Sequence, residues 1–312
     1  MRKLFFIFLC FFLLVTCNSL AFAYPKVKVT AKVVDETGNA IKGVDVHISL
    51  EVAKAPREGW GTNNFGVKGL SDEEGFFTGE ASASSRIGVT VRKEGYYLSR
   101  QLYEFTSSSK LLNRWEPWNP TVEVVLKKKR NPVAMYQKNT SKTKIPVFDS
   151  PIGFDLEKGD WMAPYGKGII SDFIFTFHAV DRAYTDYECS FTLTFSNEAD
   201  GLQEYFFDSK EQSYYKWPFE APESGYENKI YKEKSIAPGK GYKSNEKKNV
   251  NYLFRVRTKI DKDGKIVDAK YGKIEGEFGF DVIGNVRFLY YFNPDGTRNL
   301  EEDSEKNLLK KK

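Results

Sequence analysis

Val27-Lys28-Val29-Thr30-Ala31-Lys32-Val33 and, beyond the turn signal Thr37-Gly38-Asn39, Val44-Asp45-Val46-His47-Ile48-Ser49-Leu50 alternate apolar and polar side chains. Successive residues of an extended chain point to opposite faces, whereas a helix repeats its apolar positions every three or four residues. The alternation therefore predicts two half-buried strands, and the turn between them predicts an antiparallel hairpin. Outward from this stretch the same rhythm recurs at residues 87–91, 100–105 and 121–126, with a Gly- and Asn-rich loop at 53–66 and a turn at Ser71-Asp72-Glu73-Glu74-Gly75 leading into Phe76-Phe77. About seven short strands separated by turn signals, with no helical period, predict a two-sheet, immunoglobulin-like sandwich over residues 24–130.

Three stretches of this region resemble the carboxypeptidase regulatory-like domain, a transthyretin-like seven-stranded sandwich. Val34-Asp35-Glu36-Thr37-Gly38-Asn39-Ala40-Ile41-Lys42-Gly43-Val44 is similar to the family's opening hairpin, and Ser71-Asp72-Glu73-Glu74-Gly75-Phe76-Phe77 to its middle turn. Val89-Thr90-Val91-Arg92-Lys93-Glu94-Gly95-Tyr96 resembles the late strand that ends in a Gly-Tyr pair. The resemblance implies a non-catalytic module. Residues 50–67, with Trp60 between Gly59 and Gly61, and residues 107–119 depart from the shortest form of the family, so binding would be carried by those two loops.

Lys127-Lys128-Lys129-Arg130-Asn131-Pro132 reads as an exposed linker to a second, antiparallel β domain spanning residues 131–300. There Phe173, Phe175, Phe177 and Ala179 share one face, and Tyr252, Phe254, Val256, Thr258 and Ile260 another. Asp261-Lys262-Asp263-Gly264 joins the latter strand to Lys265-Ile266-Val267 as a hairpin turn, since the further ligands of a calcium loop are missing. Ile274, Gly276, Phe278, Phe280 and Val282 point inward and leave Glu275, Glu277 and Asp281 outside. Arg255, Arg257 and Lys259 lie outside on the preceding strand, and opposite charges on neighbouring strands predict cross-strand pairs. Residues 286–292 form a last strand, residues 214–251 read as an irregular excursion, and residues 301–312 as a charged tail that frays.

The N-terminal segment predicts a protein that works outside the cytoplasm. Arg2 and Lys3 precede an apolar run over residues 4–15, and Ala21-Phe22-Ala23 suits cleavage before Tyr24, so residues 1–23 read as a signal peptide. The run falls short of the ~20 residues that cross a bilayer, and no transmembrane segment is expected in the mature chain. Leu14-Val15-Thr16-Cys17 offers an alternative, lipidation at Cys17, but Thr16 replaces the small residue such a site prefers. The formal charge of +5 includes Arg2 and Lys3, a balance that does not indicate nucleic acid as partner. Of three cysteines, Cys10 and Cys17 lie in the signal segment; Cys189 remains alone, on the core face of Cys189-Ser190-Phe191-Thr192-Leu193, without a disulfide partner.

No constellation dictates a chemistry. The two histidines, His47 and His178, lack zinc-site spacing, and Gly-x-Ser-x-Gly is absent, so neither a metal nor a cofactor is expected. Large rings in loops, Trp60, Trp115, Trp118 and Trp217, are the candidate binding residues, because exposed rings stack on sugars; as packing they would plug a sandwich end. The chain thus reads as an exported, periplasmic or secreted, non-enzymatic protein that binds a cell-envelope component, a glycan or a protein. A hydrolase using carboxylates of the second domain is the alternative, recognisable by convergence of Glu275, Glu277, Asp281 or Asp160 in one cleft. A structural spacer is the third reading.

Overall fold

The computed structural model describes residues 24–53, 62–141 and 143–309, and every regular element among them is a β-strand. The signal segment with Cys17, and Trp60, lie outside the described residues. The chain divides into two compact units, one of the residues up to Lys128 together with Gln212–Tyr215, the other of Lys129–Glu211 and Lys216–Lys312.

The first unit contains β1 (Lys26–Asp35), β2 (Asp45–Ala53), β3 (Thr62–Leu70), β4 (Phe76–Ser82), β5 (Arg86–Arg92), β6 (Ser99–Glu104), β7 (Ser107–Ser109), β8 (Arg114–Glu116) and β9 (Thr121–Leu126). One sheet runs β4-β1-β8-β7, with β9 also on β1, and the other runs β3-β2-β5-β6. Val27, Val29, Ala31 and Val33 of β1 meet Val46, Ile48 and Leu50 of β2, Ile87, Val89 and Val91 of β5 and Val122, Val124 and Leu126 of β9 in one core. The period-two pattern is thus the signature of two sheets packed face to face.

Two expectations change. The predicted hairpin of residues 27–33 and 44–50 does not form, because β1 pairs with β4 in one sheet and β2 with β3 and β5 in the other. The turn is still tight: the Asp35 carboxylate accepts from the Thr37 and Asn39 amides and the Thr37 hydroxyl, but the ladder closes only at Val34 and Ala40 before the chain steps across. Among its described residues the first unit also has nine strands where about seven were expected, since residues 62–66, read as loop, extend β3 along β2, and β7 and β8 form a small extra hairpin.

Gln212–Tyr215 completes this unit. The Arg100 amide donates to the Gln212 carbonyl at 2.9 Å and the Tyr214 amide to the Leu98 carbonyl at 2.9 Å, extending the outer edge by β6. The Gln212 side chain accepts from the Val125 amide at 2.8 Å and donates to the Glu123 carbonyl, satisfying the free edge of β9. Tyr215 is buried and stacks on Tyr97 with ring centroids 4.6 Å apart.

The second unit contains β10 (Val133–Asn139), β11 (Pro151–Asp155), β12 (Asp160–Trp161), β13 (Phe173–Ala183), β14 (Asp186–Thr194), β15 (Gly201–Phe206), β16 (Lys229–Ala237), β17 (Gly241–Ser244), β18 (Val250–Ile260), β19 (Ile266–Phe280), β20 (Val286–Asn293) and β21 (Glu302–Asn307). Its sheets run β15-β18-β19-β20-β10-β21 and β12-β11-β13-β14-β16-β17. Between them lies an aromatic core in which rings meet mainly edge to face, as with Phe191 and Phe280 at 5.0 Å and Phe173 and Phe254 at 5.3 Å. That arrangement sets the positive ring edge against the negative face.

Here too the structure corrects the reading. Residues 214–251 hold the hairpin of β16 and β17. Residues 302–307, expected to fray, pair as β21 with β10, and the buried Glu301 carboxylate accepts from the Arg130 and Asn131 amides at 2.9 and 2.6 Å. Arg255 and Arg257 are not on an open outer face: Arg255 is covered by the segment around Ala199, Glu223 and Tyr226, whereas at Arg257, with a φ of 58°, β18 carries a bulge between Val256 and Lys259. The extra residue shifts the alternation and turns the Arg257 side chain inward.

Candidate functional site

The inward turn of Arg257 assembles a buried ionic network that sequence reasoning missed. Its guanidinium donates from Nε and Nη2 to both oxygens of Asp172, at 2.7 and 2.9 Å, and from Nη1 to Glu157. The Asp172 side chain is fully buried. Burial pushes the Asp172 carboxyl above the ordinary range, with Arg257 working against that shift. Asp155 stands beside it, and there burial is outweighed by amides of Glu157, Lys158, Ile169 and Ile170, which hold the carboxyl below its usual value. Asp200 braces the bulge by accepting from the Arg257 and Thr258 amides at 3.0 and 2.9 Å. Every carboxylate of the network has its donors, so it fixes the loops around β11 and β18 rather than offering a reactive group.

The carboxylates proposed for a hydrolase are scattered among separate partners. Glu277 accepts from Lys232 at 2.6 Å and from the Tyr252 hydroxyl at 2.5 Å, and Glu275 from the Tyr291 hydroxyl at 3.4 Å. Asp281 accepts from Asn285 and Arg287, and Asp160 from the Trp161 and Lys167 amides. The expected pairs with Arg255, Arg257 and Lys259 are replaced as well: Arg255 donates to the carbonyls of Ala199 and Glu223, and Lys259 pairs with Asp268 at 3.2 Å.

The tryptophans fall into different settings. Trp115 is half-buried against the core of the first unit and donates its Nε1 hydrogen to the Ala83 carbonyl at 2.9 Å. Trp118 lies under Arg114, 4.9 Å from the ring centre, and Lys28, 6.0 Å away. Trp217 is buried at 5 % exposure, stacked on Tyr205 at 5.8 Å with the Lys273 ammonium 5.1 Å from its ring. It covers the second face of β18 and β19, where Leu253 and Lys273 are buried opposite the aromatic core, and so it does not belong to a binding surface. Burial lowers the Lys273 ammonium to about 8, against the charge of Glu302.

A polar depression of about 290 Å³ on the outer face of β13, β14, β16 and β17 has the composition of a binding site; its lining includes His178, Ser190, Tyr231, Glu233, Lys243 and Asn245. Register builds it, because His178 lies opposite Ser190, Ser190 opposite Glu233, and Thr192 opposite Tyr231. The Tyr231 ring is half exposed, and its hydroxyl donates to Glu233 at 3.0 Å and meets Ser190. Asn245 donates to the Tyr231 carbonyl and accepts from the Glu233 amide, which fixes the strand carrying both side chains. At the rim His178 Nδ1 lies 2.6 Å from Asp149 Oδ1, with both groups open to solvent.

Asp149, His178 and Ser190 supply the residue types of an acyl-transfer triad. They do not supply its electrostatics: β14 is paired on both sides, by β13 and β16, so its amides are consumed by the ladders instead of facing an oxyanion. Cys189, on the opposite face of the same strand, is buried, and burial raises its thiol to about 11. An aromatic face beside a carboxylate, an amide and hydroxyls in an open trough is suited to holding a hydroxylated ligand by stacking and hydrogen bonds. Residues 229–235, Lys-Ile-Tyr-Lys-Glu-Lys-Ser, carry no apolar alternation, so the sequence offered no signal for this face.

No protein family matches the sequence, and no curated protein does. Among solved structures the chain is similar to 3-chlorocatechol 1,2-dioxygenase from Rhodococcus opacus, at 14 % identity and a TM-score of 0.27, over 34 % of this chain and 61 % of the enzyme. It thus spans about six-tenths of that enzyme. It is also similar to a candidate carbohydrate-binding protein from Bacteroides uniformis, at 12 % identity and a TM-score of 0.20, over 85 % of this chain and 96 % of that one. The major pilin subunit of Bacillus cereus matches at 9 % identity and a TM-score of 0.24, over 89 % and 100 %. At such scores these likenesses carry no argument about function.

Proposed function

We propose that the chain is an extracytoplasmic, non-enzymatic β-sandwich protein that binds a cell-envelope glycan on the polar face of its second unit. The observation that carries this reading is the half-exposed Tyr231 ring set among Glu233, Ser190 and Asn245 in one trough. Residues 1–23 direct export in this reading, with cleavage before Tyr24, and the first unit is a carboxypeptidase regulatory-like accessory module. Flat aromatic surface takes up the apolar face of a pyranose while the carboxylate and amide accept and donate to its hydroxyls.

The test is calorimetric titration of the mature protein with solubilised envelope glycans and defined oligosaccharides. Tyr231→Ala should weaken binding at least tenfold, while Trp217→Ala should act on stability instead. Binding unchanged in Tyr231→Ala, or no binding to any member of the panel, sinks the proposal; so does release of reducing ends, which would restore the hydrolase. Intact mass of the exported protein tests the leader: a product beginning at Tyr24 is expected, and a lipidated Cys17 overturns it.

A further inference from the structure

The outer face of the sheet β3-β2-β5-β6 carries a second depression, of about 510 Å³, whose lining includes Asp45, His47, Lys68, Leu70, Thr90 and Arg92. Register places Lys68, His47, Thr90 and Arg100 in one row across the four strands, with Arg92 opposite Asp45 in the row beside it. The row on the other side is Gly66, Ser49 and Gly88. These glycines are the reason the side chains lie flat. A Cβ at Gly66 would stand 2.0 Å from His47 Nε2, and one at Gly88 would stand 2.9 Å from the Arg100 guanidinium.

His47 and Arg100 therefore both lean over the small-residue row, from either side of Ser49. Two strand spacings separate Gly66 from Gly88, roughly 10 Å, the width of a sugar ring with its substituents. Lys68, Arg92 and Arg100 are exposed, and none is ion-paired with another described residue. On a chain whose charges are nearly balanced, +47 against −42, this concentration of unpaired cations on one sheet face stands out. A flat, open surface of this kind attracts a polyanion and holds its charged groups in several places at once.

We propose that this face binds an acidic polysaccharide, with a carboxylate or sulfate seated over Ser49 between His47 and Arg100 and further acidic groups on Lys68 and Arg92. The site is in the other unit from the Tyr231 trough and does not rest on it. A glycan fits better than a nucleic acid, since the lining of this depression holds no Phe, Tyr or Trp on which successive bases could stack. His47 supplies an internal reporter. Partial burial and the Lys68 charge hold its imidazole below the ordinary value; the groups around it are Lys68, Asp45, Arg92 and Arg100. A bound anion should raise it.

The experiment uses the full mature chain with three probes: a sulfated heparin oligosaccharide, polygalacturonate and neutral dextran. Binding to at least one acidic probe and none to dextran is expected. Lys68→Ala, Arg92→Ala and Arg100→Ala should each lose about three- to tenfold in affinity with thermal unfolding unchanged, and each should reduce the salt dependence. The His47 imidazole resonances should titrate at higher pH with the acidic probe bound. Tyr231→Ala should leave this binding intact, so failure of the trough proposal and failure of this one read differently. Equal binding to dextran, indifference to all three substitutions, an unmoved His47, or tighter binding to single-stranded DNA or to anionic vesicles than to either acidic glycan overturns the inference.

Discussion

Replacing Arg257 by Met isolates the energetic role of the buried network. Methionine keeps the apolar stem and, being non-glycine, keeps whatever backbone cost attends the φ of 58°, so the change removes charge and donors alone. What remains is Asp172, fully buried and left with the Leu156 amide at 2.9 Å after losing both guanidinium bonds. Breaking a buried pair in this way costs about 3–5 kcal/mol, which for a unit of this size lowers Tm by roughly 10 °C. The pH dependence has a definite sign. A carboxyl whose folded pKa is raised contributes full stability below its unfolded pKa and loses it as pH rises through the folded one. Burial already raises Asp172 in the native protein, and loss of Arg257 raises it further. The deficit of Arg257→Met should be greatest at neutral pH and shrink as the pH falls and Asp172 takes up a proton. Urea unfolding of both proteins at several pH values measures it, and Asp172→Asn in the Arg257→Met background should recover most of the loss. A deficit under about 1 kcal/mol at pH 7, or one that does not change with pH, would refute the account.

Trp217→Ala should cost about 3–5 kcal/mol in the same assay, because it empties a fully packed site over Lys273; a near-neutral result would mean that the ring is not buried. Cys189 should resist thiol reagents at pH 8 in the native state, where a pKa of about 11 leaves roughly one thiolate in a thousand, and react promptly in denaturant. Lys273 gives the opposite sign to an ordinary ion pair. Its folded pKa of about 8 lies below the unfolded value, so the unfolded chain binds more protons and stability should rise from pH 8 toward pH 10, a slope that Lys273→Met removes.

The strands were legible wherever one face of a sheet meets the core and the other meets water, as in β1, β2 and β13. Alternation fails at three kinds of place. It cannot show pairing partners, which is why β1 and β2 look like a hairpin although they lie in different sheets. It fails where both faces are covered: Leu253 and Lys273 are as buried as Tyr252 and Ile274, because Trp217 and the chain around Leu300 lie on the second face. It fails at a bulge, where one inserted residue at Arg257 reverses the phase and brings an arginine to aspartates 57 to 85 positions away. The Tyr231 trough was hidden by a different cause, since the inward positions of β16 are held by Lys232 and Lys234, paired with Glu277 and Glu246, and no apolar alternation marks the strand. The tryptophans drew the eye as rings in loops, but ring size says nothing about which side of a surface a loop turns toward.

The four residues Gln212–Tyr215 have a consequence for how the molecule is made. A chain emerging from its N-terminus, or threaded through a translocation channel in that order, presents β1 to β9 long before the piece that seals the margins of β6 and β9 arrives. Until then those margins are open to water and Tyr215 has not yet reached Tyr97, so the leading third stays unfinished while the remainder is still in transit. Completion of the front of this protein thus waits on residues about two-thirds of the way along it, and a fragment cut at the linker would lack the piece that closes its edges.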